Sequence, residues 1–193
     1  MQTANSGAPA LIVIDVQDAF FESKYWGASN NPACESNIDA LVTRWQTRGW
    51  PIVMVTHDSL DPDSPLHPSA AGNALQSFLG EVEPSLTITK TVNSSFLGTP
   101  SLHDWLREQG IASIVLCGIQ SNMCVETTAR MGGNLGYEVT VAIDATRTFD
   151  LAAEIPGLGH LTRSADELMQ AAALNLSAGG FATVTTTAAV LTQ

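Results

Sequence analysis

Short aliphatic runs recur along the chain, each followed by a stretch of helical spacing, and this alternation restricts the possible folds more than any other feature. The runs are Ala10 to Val16, Pro51 to His57, Leu86 to Lys90, Ile114 to Cys117, Tyr137 to Ile143 and Phe181 to Thr186. They are short, rich in Val and Ile, and read as strands buried on both faces of a parallel sheet. Between them, Ile38, Leu41, Val42 and Trp45 form a helical stripe from about Cys34, with Gly49 as its stop. A second helix is predicted from about Pro100, with Leu102, Trp105 and Leu106 on its apolar face and Gly110 at its end. A third follows Ser121 or Asn122 as N-cap and is closed by Gly132, Gly133 and Gly136, and a fourth runs from about Ser164 to Leu176. Strand and helix alternating in this way predict an α/β fold: a single doubly wound, Rossmann-like three-layer domain with a six-stranded parallel sheet and right-handed crossovers. One domain over residues 1–193 suits the length, with residues 1–9 expected as a flexible N-terminus. Asp58 to Gly72 is proline-rich and irregular, and is expected to cover the strand ends as a loop. Ile155 to His160 reads as a glycine-rich connection, and no G-x-G-x-x-G follows a strand, so a dinucleotide fingerprint is absent.

The charge balance narrows the function classes. A net charge of −11 with eight basic residues argues against a nucleic-acid or anionic-membrane surface, which needs clustered Lys and Arg. No apolar run approaches the ~18 residues of a membrane span, and the first residues lack a basic leader pattern, so a cytoplasmic location is expected. Three cysteines, Cys34, Cys117 and Cys124, form no C-x-x-C pair, which points to a reducing compartment and away from a structural zinc site.

Candidate chemistry gathers at strand ends. Cys124 falls in the first turn after the fourth strand, where unpaired N–H groups and the helix dipole favour a thiolate. It can be a nucleophile there, or a small buried apolar residue. Asp15 lies near the C-terminal end of the first strand, where a carboxylate among aliphatic residues needs a cationic or hydrogen-bonding partner. It is either a functional group or a cap for loop amides. Lys90 ends the third strand and is one of two lysines in the chain, the other being Lys24 in a polar loop. Its alternatives are a partner for Asp15 or a surface lysine with its stem laid on the sheet. Open α/β sheets place their chemistry at this edge. His103 lies off its helix's apolar stripe and reads as solvated.

With these residues in view, the sequence resembles the isochorismatase-like cysteine hydrolase superfamily. The likeness runs from Leu11 through the last strand. It is carried by Ile14-Asp-Val-Gln-Asp-Ala-Phe20, by Lys90-Thr-Val-Asn-Ser-Ser-Phe-Leu-Gly-Thr99, and above all by Gly118-Ile-Gln-Ser-Asn-Met-Cys-Val-Glu-Thr-Thr-Ala-Arg130. The resemblance implies a Cys-Asp-Lys triad that hydrolyses the C–N bond of a small amide, ureide or lactam through a covalent acyl-enzyme. Cys124 would be the nucleophile, Asp15 the general base, and Lys90 the charge that conditions both. It also implies a cis peptide at Ile119–Gln120, and an oxyanion hole from the N–H groups of Gln120 and Cys124. Gln17, Phe20, Asn93 and Phe96 are pocket candidates, with plain core as the alternative for the two phenylalanines. Metal-dependent nicotinamidases of the superfamily carry an Asp-x-His and a later His after the second strand. Here Asp58-Ser-Leu60 replaces a ligand with leucine, so no metal and no cofactor are expected, and His57, Asp58 and His67 are assigned to ordering the loop. Alternatives are a metal-assisted nicotinamidase or isochorismatase-type hydrolase, and, from another class, a non-catalytic interaction module or redox thiol protein. The resemblance further implies a homo-oligomer, dimer or tetramer.

Overall fold

The computed structural model describes residues 7–21 and 23–192. Most of the segment expected as a flexible N-terminus, residues 1–6, lies outside the described residues. The central sheet contains β1 (Ala10–Ile14), β2 (Ile52–His57), β3 (Leu86–Lys90), β4 (Ser113–Ile119), β5 (Glu138–Arg147) and β8 (Thr183–Thr185), with β6 (Leu151–Ile155) and β7 (Gly159–Arg163) set apart from it. Its order is β3-β2-β1-β4-β5-β8, and every neighbouring pair is parallel. The helices are α1 (Ser23–Trp26), α2 (Cys34–Arg48), α3 (Leu102–Glu108), α4 (Glu126–Asn134), α5 (Ala165–Ala178) and α6 (Thr187–Leu191). Among the described residues no helix is long and apolar enough to cross a membrane.

Strand pleating divides the core in two, because successive side chains point to opposite faces. Ala10, Ile12 and Ile14 of β1 pack with Leu102, Leu106, Val125, Ala129 and Leu176 from α3, α4, α5 and the turn before α4. Leu11 and Val13 face the other way, onto Ile38, Leu41, Val42 and Trp45 of α2 and Val190 of α6. These are the three expected layers. The chain fills the sheet from β1 outward through β2 and β3, then returns to pair β4 on the other side of β1. The order therefore reverses between β1 and β4, and a crevice opens at their carboxyl ends. Gly118 makes the close approach possible there: at φ 122°, a Cβ would lie 2.0 Å from the Ile14 carbonyl oxygen.

Several boundaries differ from expectation. The predicted helix at Pro100 begins at Leu102, because Ser101 accepts the Asp104 N–H as N-cap, and Pro100 follows a cis bond. Strand β5 runs on to Arg147 with a register shift opposite Leu116 and Gly118. The last strand shortens to Thr183–Thr185, since Phe181 instead stacks under the Arg130 guanidinium, 4.7 Å from ring centroid to Cζ. Residues 155 to 160, read as a connection, are the turn and flanks of an antiparallel ribbon in which Leu151 pairs Arg163 and Ile155 pairs Gly159.

Candidate active site

Lys90 gathers the site. β1 lies two strand spacings from β3, roughly 10 Å, and the Lys90 stem, its hydrogen bond and the Asp15 side chain together bridge the end of β2 between them. The ammonium is buried, with the residue 2% exposed. It donates to Asp15 Oδ2 at 2.7 Å, to His57 Nδ1 at 3.1 Å and to Cys124 Sγ at 3.3 Å. An ammonium has three donors, so all three are used. Asp15 follows β1 in a left-handed conformation, φ 52°, tolerated by Asp better than by most residues. Its N–H donates to the Val55 carbonyl at 2.9 Å, while its buried Oδ1 has no hydrogen-bond partner among the described residues.

Cys124 sits where β4 turns into α4, but not in the expected first helical turn. Residues Ser121–Val125 form a π-turn, and α4 starts at Glu126. Neither predicted cap acts as one: the Ser121 hydroxyl pairs with that of Thr146 at 2.7 Å, and Asn122 Oδ1 accepts from the Thr148 hydroxyl. The Ile119–Gln120 peptide preceding the turn is cis.

The protonation pattern also departs from the helix-terminus expectation. Burial, followed by the Asp15 charge, pushes the Cys124 thiol up to about 12 against the pull of Lys90, so the resting cysteine is a neutral thiol. Burial likewise raises the Asp15 carboxyl, and Lys90 opposes it. His57 is held below its ordinary value, first by burial and then by Lys90, which leaves Nδ1 free to accept from the ammonium.

These groups line a cavity of about 230 Å³. Asp15, Cys124, His57, Asn93 and Gln120 form its polar side, and Phe20, Trp26, Leu66 and Met123 its apolar side. Phe149 backs the aromatic wall, with ring centroids 5.9 Å from Phe20 and 5.7 Å from Trp26. A larger open depression of about 610 Å³ lies at the opposite sheet edge, by the starts of β5 and β8, and contains none of these residues.

Residues 9–189 match the family described as the Isochorismatase domain. The chain belongs to the isochorismatase family. It is a hydrolase of that family, 40% identical over 142 residues to the isochorismatase family protein YrdC of Bacillus subtilis, covering 74% of this chain and 75% of that one. Nicotinamidase 3 of Arabidopsis thaliana is 26% identical over 188 residues, covering 91% of this chain and 83% of its own. The crystal structure of an isochorismatase-family protein from Chromobacterium violaceum superposes with a TM-score of 0.86 at 35% identity, covering 96% of this chain and 92% of that one.

Within this isochorismatase-family hydrolase, the pocket candidates separate. Phe20, Asn93 and Gln120 line the cavity; Gln17 and Phe96 do not. The buried Gln17 amide is a brace: Nε2 donates to the Asn73 and His57 carbonyls at 2.7 and 3.2 Å, and Oε1 accepts the His57 N–H at 2.8 Å. Phe96 belongs to the core on the α3 side and stacks on Tyr137 at 5.6 Å. His57 does both: its backbone carbonyl helps tie the loop through Asn73, while its ring, which the sequence reading did not place in the site, faces the cavity and Lys90. That loop does cover the strand ends, through buried Leu66, and is tied by Asn73, whose Nδ2 donates to Asp58 Oδ1 and the Leu66 and His57 carbonyls. Trp26, Leu66 and Met123 were not singled out by sequence.

A nicotinamidase-type metal set does not fit this hydrolase. Leu60 offers no donor and is 81% exposed, the Asp58 carboxylate takes the Asn73 amide, and His67 Nδ1 faces the Ser69 hydroxyl at 2.8 Å. Ligand atoms of Asp15, His57 and Cys124 lie within 4.8 Å of one another, as a metal would require. The Lys90 ammonium already occupies their common neighbourhood, and a second cation would have to displace it. Cys117 is buried in the opposite core from Cys124, with its thiol 3.8 Å from the Ile12 carbonyl, where it cannot resolve a Cys124 disulfide.

Proposed function

We propose that this chain is a cysteine hydrolase that cleaves a C–N bond of a small amide, ureide or lactam through an acyl-enzyme, with Cys124, Asp15 and Lys90 as its triad. The observation that carries this reading is the shared ammonium: Lys90 touches both Asp15 Oδ2 and Cys124 Sγ, while the buried Asp15 Oδ1 has no hydrogen-bond partner among the described residues. A neutral thiol beside an unpartnered carboxylate oxygen of raised basicity can transfer its proton as it attacks. The thiol proton passes to Asp15 Oδ1, the Sγ–C bond forms, and the carbonyl electron pair moves onto oxygen, facing the N–H groups of Gln120 and Cys124. Collapse breaks the C–N bond, and the departing amine takes the proton from Asp15. Water then gives Asp15 a proton, attacks the thioester, and expels Cys124, to which the proton returns. Lys90 keeps its positive charge throughout and offsets the charge that moves between oxygen and sulfur.

The cavity bounds the substrate. Its 230 Å³ corresponds to about eight waters at ~30 Å³ each. Its lining among the described residues includes no Lys or Arg, and Lys90 has its donors engaged. An uncharged amide with a flat or apolar body suits the wall of Phe20 and Trp26 better than a carboxylated one. Similarity to a protein named nicotinamidase favours amide chemistry. The three buried free cysteines suit a reducing, cytoplasmic setting, and the family likeness suits a homo-oligomer.

The test is intact-mass spectrometry of wild type and Cys124→Ser with paired neutral and carboxylated amides, ureides and lactams, alongside an assay for released ammonia or amine. A substrate-dependent mass increment confined to wild type, with product release from neutral compounds, is expected. Undiminished turnover in folded Cys124→Ala would refute the nucleophile.

A further inference from the structure

The triad leaves one nitrogen beside it without a role. His57 ends β2 in register with Lys90, and its backbone is held at both polar groups. The N–H donates to Gln17 Oε1 at 2.8 Å, and the carbonyl accepts from Gln17 Nε2 at 3.2 Å and Asn73 Nδ2 at 3.1 Å. Its ring Nδ1 lies 3.1 Å from the Lys90 ammonium. An ammonium donates and cannot accept, so Nδ1 contributes a lone pair and carries no proton. The ring is then neutral, as burial and the Lys90 charge favour against the pull of Asp15 and Asp58, and its proton sits on Nε2. That N–H has no hydrogen-bond partner among the described residues, yet unlike Asp15 Oδ1 it is open to solvent. His57 lines the cavity, so a donor of fixed polarity stands unpaired at its wall.

The other polar side chains there are differently placed. Lys90 gives its three donors to Asp15, His57 and Cys124. Gln120 and Asn93 carry amides, which present either a donor or an acceptor as they turn over. Gln120 Oε1 lies 3.5 Å from the Thr148 hydroxyl, and Asn93 Oδ1 lies 4.0 Å from Cys124 Sγ. The His57 ring lacks that freedom, because turning it over would set a C–H against the ammonium. One of its nitrogens lies within 4.8 Å of Cys124 Sγ and of an Asp15 carboxylate oxygen. With the attacked carbon about 3–3.5 Å from Sγ, an acceptor a few bonds along the substrate can come beside Nε2. Ureides, imides and β-dicarbonyl amides have that spacing, with a single atom between two carbonyl carbons.

We propose that His57 is a substrate-binding residue whose Nε2–H donates to a second acceptor of the substrate, so that the site favours an amide with a neighbouring carbonyl or ring nitrogen over a plain aliphatic amide or lactam. The placing of the attacked carbonyl rests on the amidase reading above; the polarity of the donor does not. The test uses two isosteric primary amides, 3-oxobutanamide and 3-methylbutanamide, which differ by an acceptor oxygen in place of a methyl group. Their dissociation constants are measured by nuclear magnetic resonance titration of Cys124→Ser, which keeps an acceptor for Lys90, alone and combined with His57→Phe or His57→Gln, each checked by circular dichroism. The first amide should bind roughly 3- to 10-fold tighter, the range of one neutral hydrogen bond. His57→Phe should abolish that preference. His57→Gln, whose amide can accept from Lys90 and donate to the ligand, should restore part of it. Long-range proton–nitrogen spectra of the histidines in Cys124→Ser, which need no change at His57, should show Nε2 protonated and Nδ1 bare, with Nε2 responding to the first amide and not the second. A ring protonated on Nδ1, no binding of either amide, equal binding of the pair, or a preference that survives His57→Phe would overturn the proposal. Wild-type turnover separates the two readings. The expected preference in a wild type that hydrolyses neither compound would refute the triad and leave His57 in place. Turnover of both compounds alike, lowered alike by His57→Phe, would keep the triad and reduce His57 to a support for Lys90.

Discussion

Replacing Lys90 with Met keeps most of the side-chain volume and removes the charge that Asp15 faces. The side chains of the pair are 0% and 1% exposed and 2.7 Å apart. At an effective dielectric of ~20 their gross attraction is about 6 kcal/mol, much of it offset by the loss of hydration on burial. Removing one partner of such a pair costs about 3–5 kcal/mol, because the other charge stays buried alone. With a urea slope of ~2 kcal/mol/M, the unfolding midpoint at pH 7 should fall by about 1.5–2.5 M. The loss should depend on pH in a defined direction. Burial already raises the Asp15 carboxyl, and the variant removes the largest opposing influence, so its folded state holds the proton to higher pH than the unfolded chain does. Between the ordinary Asp value of ~3.9 and that raised value the folded state binds more protons, and stability falls as pH rises. The variant should therefore recover toward wild type as pH is lowered from 7 to 5. Asp15→Asn combined with Lys90→Met should regain most of the lost stability at pH 7, as coupled neighbours do. Urea midpoints of wild type, both single variants and the double variant from pH 5 to 8 measure all of this. A pH-independent loss, or additive losses in the double variant, would refute the electrostatic account of Lys90.

Two further outcomes follow from the groups around Lys90. The Asp15 charge helps hold the Cys124 thiol up at about 12, so Asp15→Asn should alkylate faster with iodoacetamide at pH 8 while turnover falls by orders of magnitude; slower alkylation would contradict the coupling. His57 is held neutral below its ordinary value, so stability should be full above pH ~6.5 and decline as pH falls through the depressed value. His57→Gln should flatten that decline, and a wild-type unfolding midpoint constant from pH 7 to 5 would count against it.

Asp15, Lys90 and Cys124 could be singled out from sequence because each stands at the end of an aliphatic run, and parallel strands bring such ends to one edge. His57 ends β2 in register with Lys90, and the strand order explains its role: any chain from β3 to β1 passes over β2. That order is a tertiary fact, invisible in a run of seven residues, so the sequence shows the loop-ordering part of His57, borne by its backbone, and not the part of its ring. Gln17 and Phe96 sit in segments that carry the family likeness, yet one braces backbone and the other fills core; their neighbours Phe20 and Asn93 reach the cavity. The ribbon went unread because Leu-Ala-Ala-Glu-Ile lacks the β-branched density of a strand, and the Pro-Gly-Leu-Gly that follows dominates the local signal. The thiol's high affinity for its proton comes from burial in three dimensions, which outweighs what helix position alone suggests.

Asp15, Lys90 and Cys124 stand at the ends of three strands, β1, β3 and β4, with His57 on β2 between them, while most of the surface a substrate would touch comes from connections: the aromatic wall after β1 and the segment that Asn73 fastens over β2. The two can vary independently. A graft of residues 58–72, or a redesign of the Phe20 and Trp26 wall, changes which molecule fits without moving the reacting atoms, and so offers a way to retarget the scaffold while its hydrolytic apparatus is left in place.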